Sequence, residues 1–416
     1  MSQTPESSQA RATPPAEDLR SWPFGRDRRR PFAPAPELAA RRAEHPASRV
    51  RFWDERPRWL ITRYEDVRKL FADSRISADV RHPGYPHGSR ASMVRSTANP
   101  TFLTMDDPEH GVVRRMLAAD FTVRRIETMR PGVQRLVDGL VDGLLAGPRP
   151  VDLVSALALP VPSLIICQLL GVPYTDHEFF QAQARVLLAG TSTLDDAHKA
   201  IQSLAAYLKQ LIETKLVSPG DDLLSRLAAE QVATGRLSSD GLADLGVLLL
   251  LAGHETTANM ISMSTLVLLT NPDQMQELRD SDDPRLLANA VEELLRYLSV
   301  VHNGRGRVAV EEIEVAGRTI GAGDGVILPL EAANWDGAKF PDPDRFDIHR
   351  NTRGHLAFGF GVHQCLGQPL ARLELEIVLG ALLTRIPTLR LAVAFDDIGF
   401  RTDGLVHGPH ELPVTW

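Results

Sequence analysis

The spacing of apolar and polar positions is helical over most of this chain. Helical patterns cover Tyr64–Ala72, Pro108–Ala118, Val133–Leu145, Ala156–Leu170 and Ala197–Leu216. A longer one spans Ser239–Thr270, another spans Pro284–Leu298, and a last one runs from Leu366 to Thr384. Strand signals are few and short. Val50-Arg51-Phe52 and Arg58-Trp59-Leu60-Ile61, separated by Asp54-Glu55-Arg56-Pro57, predict a small hairpin. Glu314-Val315 and Val326-Ile327-Leu328 predict two further strands ahead of the last helix. The stretch Arg81–Pro100, with its Gly, Pro, His and Ser, reads as a long irregular loop, and such loops are usually functional. The predicted fold class is mainly α with minor β.

One run raises the question of a membrane span. Leu153–Thr175 carries no charge, and about 20 apolar residues suffice to cross a bilayer. Pro160, Pro162 and Pro173 interrupt it, and Ser155, Ser163 and Gln168 add polar cost, so a buried helix with a proline-punctuated entrance is expected. A soluble, cytoplasmic protein follows from that reading, and a monomer is expected. The 416 residues are ample for a large core, and 43% hydrophobic with 24% charged residues is ordinary for a globular chain. The net charge of -7 argues against nucleic acid as a partner. Residues 1–20 read as a disordered tail and 21–416 as one domain without internal repeats. Arg26-Asp27-Arg28-Arg29-Arg30 reads as a solvated charge run.

Chemistry enters with Phe358-Gly359-Phe360-Gly361-Val362-His363-Gln364-Cys365-Leu366-Gly367. Two cysteines, Cys167 and Cys365, exclude a disulfide framework. Cys167 sits in the apolar run Leu164-Ile165-Ile166 and reads as core. Cys365 instead follows glycines and a histidine and precedes a helix, whose N-terminal N–H groups favour a thiolate. Gly359 and Gly361 let the backbone turn sharply and approach a flat ligand. A phosphate cradle is the weaker idea, because G-x-G-x-x-G fails at Gln364 here and at Val326 after Gly321 and Gly323. The loop resembles the F-G-x-G-x-[HR]-x-C-x-G haem signature of the cytochrome P-450 family, matching it at every position.

That resemblance implies a triangular, helix-rich fold from about residue 20 onward, and haem b with Cys365 as axial thiolate and metal ligand. Ala252-Gly253-His254-Glu255-Thr256-Thr257, inside the longest helical pattern, is similar to the family's A-G-x-[DE]-T. Ala252 and Thr256 share one face with Leu245, Leu248 and Leu249, and a mid-helix Gly253, costing about 1 kcal/mol against alanine, needs a reason. A groove beside the iron would supply it. Glu255 and Thr256 are then the catalytic acid–alcohol pair that relays protons to oxygen. His110, Arg114, Arg307 and His363 would anchor the haem propionates, with Arg115 and Arg305 as competitors of their neighbours. Phe358, Gly359 and Gly367 complete the cofactor contacts. Glu293, Arg296 and Arg345 would form a buried structural charge network. The chain departs from the family's A-N-R-D-P at Ala333-Asn334-Trp335-Asp336-Gly337, which puts local packing or a partner contact in doubt.

The activity implied is insertion of one oxygen atom from O2, by C–H hydroxylation or epoxidation, into a medium-to-large hydrophobic organic substrate such as a secondary metabolite. Electrons would come from NAD(P)H through a ferredoxin and its reductase, docking near Arg353 and Arg372. Expected pocket segments are Arg81–Pro100, Arg185–Thr193, Leu248–Ala252, Ser299–His302 and Gly404–Val406, with Thr191, His302 and Asn303 as polar members. A nitric oxide reductase or peroxygenase on the same fold, or a haem-binding sensor, are the alternatives. None of them requires the Glu255-Thr256 pair.

Overall fold

The computed structural model describes residues 19–98, 100–188, 193–401 and 406–416. Most of the tail expected at 1–20 lies outside them, as do Thr191 and Gly404.

The helix Ser239–Thr270 runs through the largest apolar core, with Ile261, Leu266 and Val267 fully buried. Its start is set locally, because the Ser238 hydroxyl accepts the Gly241 N–H at 3.0 Å. Around it pack the helices Leu194–Val217, Pro160–Leu170, Pro284–Leu298 and Gln368–Arg385. The uncharged run becomes a π-helical turn, Val154–Ala158, followed by an 11-residue helix that Gly171 ends at φ 71°. Among the described residues no helix is long and apolar enough to cross a membrane.

A five-stranded sheet flanks the helices in the order Ala47–Arg51, Pro57–Ile61, Gly325–Leu328, Arg305–Ala309, Ile76–Ser77. The first two strands form the expected hairpin, with Arg49 opposite Trp59. Pro57–Ile61 then runs parallel to Gly325–Leu328, which is antiparallel to Arg305–Ala309 with Val326 opposite Arg307.

Other segments differ from expectation. The helix expected at Val133 begins at Val123, ten residues earlier, and passes through Pro131. That proline is on the exposed side, where water can serve the carbonyl it leaves without a partner. The irregular loop Arg81–Pro100 contains a helix, Arg90–Ala98, whose sequence has no apolar stripe. Its start is marked instead by Ser89, whose hydroxyl accepts the Ser92 N–H at 3.1 Å. Within the supposed solvated run, Arg26 is half-buried and donates to the carbonyls of Pro31 and Ala33.

Candidate active site

The cysteine loop is built by its glycines. Gly359 and Gly361 sit at φ 70° and 76°, a region that L side chains rarely adopt. At Gly361 a Cβ would also lie 2.3 Å from the Phe71 carbonyl oxygen, at the end of the helix Tyr64–Ala72. The turn closes where the Cys365 N–H donates to Phe358 O at 2.8 Å. Two aromatic rings are clamped by cations, Phe358 under Arg372 at 4.7 Å and Phe360 under Arg68 at 4.1 Å. The following helix starts at Gln368 rather than Leu366.

Cys365 is an exposed residue, yet the protein packed around its thiol takes it partly out of water. Burial pushes its thiol up, and the Gly367 N–H with the charges of Arg305, Arg114 and Arg372 pushes back. The net direction is upward, so the helix start alone does not hold a free thiolate. A metal ion that replaces the thiol proton removes that cost.

Beside the sulfur lies an excess of enclosed cations. The Arg114 guanidinium is partly buried and donates to Gln364 O at 2.8 Å, whereas Arg115 is exposed. Arg305 and Arg307 alternate with Gly306 on one strand and so share a face. Burial lowers both guanidinium pKa values. Arg305 is therefore a companion of Arg307 rather than its rival, and the two-residue period was the signal for it. The His110 and His363 rings stand 4.2 Å apart. Burial, together with the charges of Arg307, His110 and Arg114, lowers His363 to about 3. His110 Nε2 and His363 Nδ1 are buried without hydrogen-bond partners. Two unpaired ring nitrogens and the guanidinium groups of Arg114, Arg305 and Arg307 form a donor set for carboxylates, and a haem brings two propionates. The residues fit that group.

The long helix supplies a second surface. Ala252 is exposed in mid-helix, and Leu248, Leu251, Gly253, Glu255 and Thr256 are half-buried, although the next turns are buried throughout. At Ala252 this face is open. A Cβ at Gly253 would meet only Ile166 Cδ1 at 3.7 Å, an ordinary contact. Burial raises the Glu255 carboxyl, and Arg401, 3.7 Å away, opposes the shift. The Thr256 hydroxyl donates to Ala252 O at 2.8 Å, and Thr257 is buried on another side.

The structural network differs from expectation at one member. Glu293 and Arg296 are fully buried and bidentate, at 2.7 and 2.8 Å. Arg345, however, points outward and meets Asp347 at 3.5 Å with its side chain 70% exposed. The third cation is Arg350, whose Nε donates to Glu293 at 3.1 Å. Arg345 contributes only its carbonyl, which accepts from Arg350 at 2.9 Å. The Pro341–Arg350 turn wraps back, so the residue five places later faces inward. The unusual Asn334-Trp335-Asp336 also proves to be packing. Asn334 O accepts from Arg296, Trp335 donates to Tyr297 O, and Asp336 accepts the Tyr64 N–H.

Two further expectations shift. Arg372 is not a free cation for a redox donor, because it pairs with Glu292 and Gln368. Burial alone would raise Glu292, but hydrogen bonds from His355 and Arg372 bring it down to about 2. Arg353 remains exposed. Of the expected pocket residues, Ser299 is committed to Asn334 and to Arg296 O, and residues 189–192 and 402–405 lie outside the described set.

Comparison with known proteins bears on the same loop and helix. The cytochrome P-450 family model matches residues 48–387. The chain belongs to the cytochrome P-450 family. It is 54% identical to cytochrome P-450 GfsF of Streptomyces halstedii over 97% of each chain. The GfsF crystal structure superposes with a TM-score of 0.92, covering 96% of this chain and 100% of that one. Pentalenic acid synthase of Streptomyces avermitilis is 47% identical, over 94% of this chain and 97% of its own. The mycinamicin VIII C21 methyl hydroxylase MycCI of Micromonospora griseorubida, bound to mycinamicin VIII, is 42% identical with a TM-score of 0.88, covering 96% and 100%. Membership makes this chain an oxidoreductase of the haem-thiolate type.

Proposed function

We propose that this cytochrome P-450 inserts one oxygen atom from O2 into a C–H or C=C bond of a medium-to-large hydrophobic natural product. The observation that carries the reading is the grouping of three guanidinium groups and two unpaired histidine nitrogens around the Cys365 loop, with the partly open face of the long helix taken as a distal wall. Cys365 would hold the iron, and His110, Arg114, Arg305, Arg307 and His363 would hold the propionates. The bound haem supplies oxygen activation, with electron density donated by the thiolate. Glu255 and Thr256 then hold and move protons on the distal side, and the exposed Ala252 and half-buried Gly253 leave room beside them. That acid–alcohol pair favours a monooxygenase over a nitric oxide reductase, a peroxygenase or a sensor.

Electrons are assigned to a ferredoxin-type donor drawing on NAD(P)H. Exposed Arg353 offers positive charge near the loop, whereas Arg372 does not. The relatives' names, a pentalenic acid synthase and a mycinamicin VIII hydroxylase, support a natural-product substrate. The test is spectroscopic. Reduced protein under CO should show the red-shifted Soret band of thiolate-ligated haem, and Cys365→Ala should lose it. Persistence of that band in the variant would overturn the assignment. Substrate-induced Soret shifts across a metabolite library then identify the substrate class.

A further inference from the structure

The charged group that faces the distal acid comes from the far end of the chain. Strand Phe400–Arg401 pairs with Gly408–Pro409, placing Arg401 opposite Gly408. The second strand seats directly on the long helix, where a Cβ at Gly408 would fall 1.8 Å from Asn259 Oδ1. Asn259 lies one turn beyond Glu255 and donates to its carbonyl at 2.8 Å. The hairpin is therefore registered to the helical turn that carries the acid. Arg401 donates from Nη2 to Pro409 O at 3.0 Å, and its Nη1 stands 3.7 Å from Glu255 Oε1. Its Nε is buried without a hydrogen-bond partner. This guanidinium is anchored to the hairpin by one bond, is only loosely engaged with the acid, and keeps an N–H to spare.

Resting on the monooxygenase reading, we propose that Arg401 is a positioning residue for oxygen activation. Carried on the C-terminal hairpin, it holds the Glu255 carboxylate beside the long helix and releases it toward Thr256 when the pair opens. Three features favour such a gate over a fixed ion pair: a long single contact, an unused donor, and partial exposure of both side chains, at 19% and 26%. A fixed structural pair in the same molecule looks different. Glu293 and Arg296 are bidentate and fully buried.

Other titratable groups on the surrounding elements face elsewhere. The neighbouring His254 ring meets Leu159 O at 3.2 Å, and His407 on the hairpin lies between the carbonyls of Arg401 and Pro31. Asp403 lies outside the described residues. Among the described residues, Arg401 is thus the cation that works against burial in favour of the Glu255 carboxylate.

The test reads the carboxyl directly, by infrared difference spectra against Glu255→Gln over a pH series. Arg401→Gln should raise the midpoint of the Glu255 carboxyl band by about one pH unit or more, the size expected for losing an opposite charge at this range. Arg401→Lys should stay close to wild type. Arg401→Met, which keeps the packing volume, is the second variant and should shift as the glutamine does. With NADPH, plant ferredoxin and its reductase, the two neutral variants should also release more peroxide per NADPH consumed. An unchanged midpoint in both neutral variants, or an equal shift in the lysine variant, would overturn the proposal. Failure of the wild-type CO spectrum would instead remove the monooxygenase reading and leave the carboxyl titration standing.

Discussion

Thr256 offers the sharpest residue-level test. Its hydroxyl donates to Ala252 O within its own helix, so replacing it breaks a bond local to that helix. Thr256→Ala should keep haem content and substrate-induced spectral shifts, while NAD(P)H consumption is diverted to peroxide. Unchanged coupling of NAD(P)H to product would sink the relay role. Gly253 makes a complementary case. Nothing in the protein crowds a Cβ there, so Gly253→Ala should stabilise the helix by up to about 1 kcal/mol. If the glycine serves a ligand beside the iron, the same change should weaken CO or O2 binding. A thermal melt and a CO titration on one sample separate the two effects.

At the level of elements, the turn between Pro341 and Arg350 decides how the buried Glu293 is neutralised. Arg350→Ala should destabilise the fold by about 1–3 kcal/mol, because it strips a hydrogen-bond donor from a fully buried carboxylate that Arg296 still neutralises. Arg345→Ala should stay within about 0.5 kcal/mol, since its exposed side chain meets only Asp347 and its useful group is a carbonyl that alanine retains. Urea titrations of the two variants distinguish the assignments, and a reversed order would restore Arg345. The cysteine loop depends likewise on its contact with the helix Tyr64–Ala72. Gly361→Ala meets both a positive φ and the Phe71 carbonyl, and haem retention should fall with stability.

Over the whole molecule, two buried ionisable groups shape stability from opposite sides of neutral pH. Burial lowers His254 from 6.5 to about 4, opposed by its contact with Leu159 O. The unfolded chain then takes that proton first, so stability is lost as pH falls from 6.5 toward 4. Burial raises Glu374 from 4.5 to about 8. Its contribution is complete below 4.5 and is lost as pH rises through 8. Glu374→Gln should therefore raise the melting temperature at pH 8 and above while changing it little near pH 5. Parallel pH profiles of variant and wild type would contradict this. What the sequence determined by itself was local. The helices Tyr64–Ala72, Ser239–Thr270 and Pro284–Leu298 occupy the predicted spans, because an apolar period, a cap or a proline acts within a few residues. The cysteine loop was legible for the same reason, its glycines and histidine lying within ten positions of the sulfur. The helix Arg90–Ala98 was not, since it has no apolar stripe to read. Only the tertiary structure decided that Arg350 rather than Arg345 reaches Glu293 and that Arg401 stands beside Glu255. A charge has no periodicity that names its partner. It is matched by whichever packed element leaves a counter-charge out of water, and that is settled across distances in sequence that local patterns do not span.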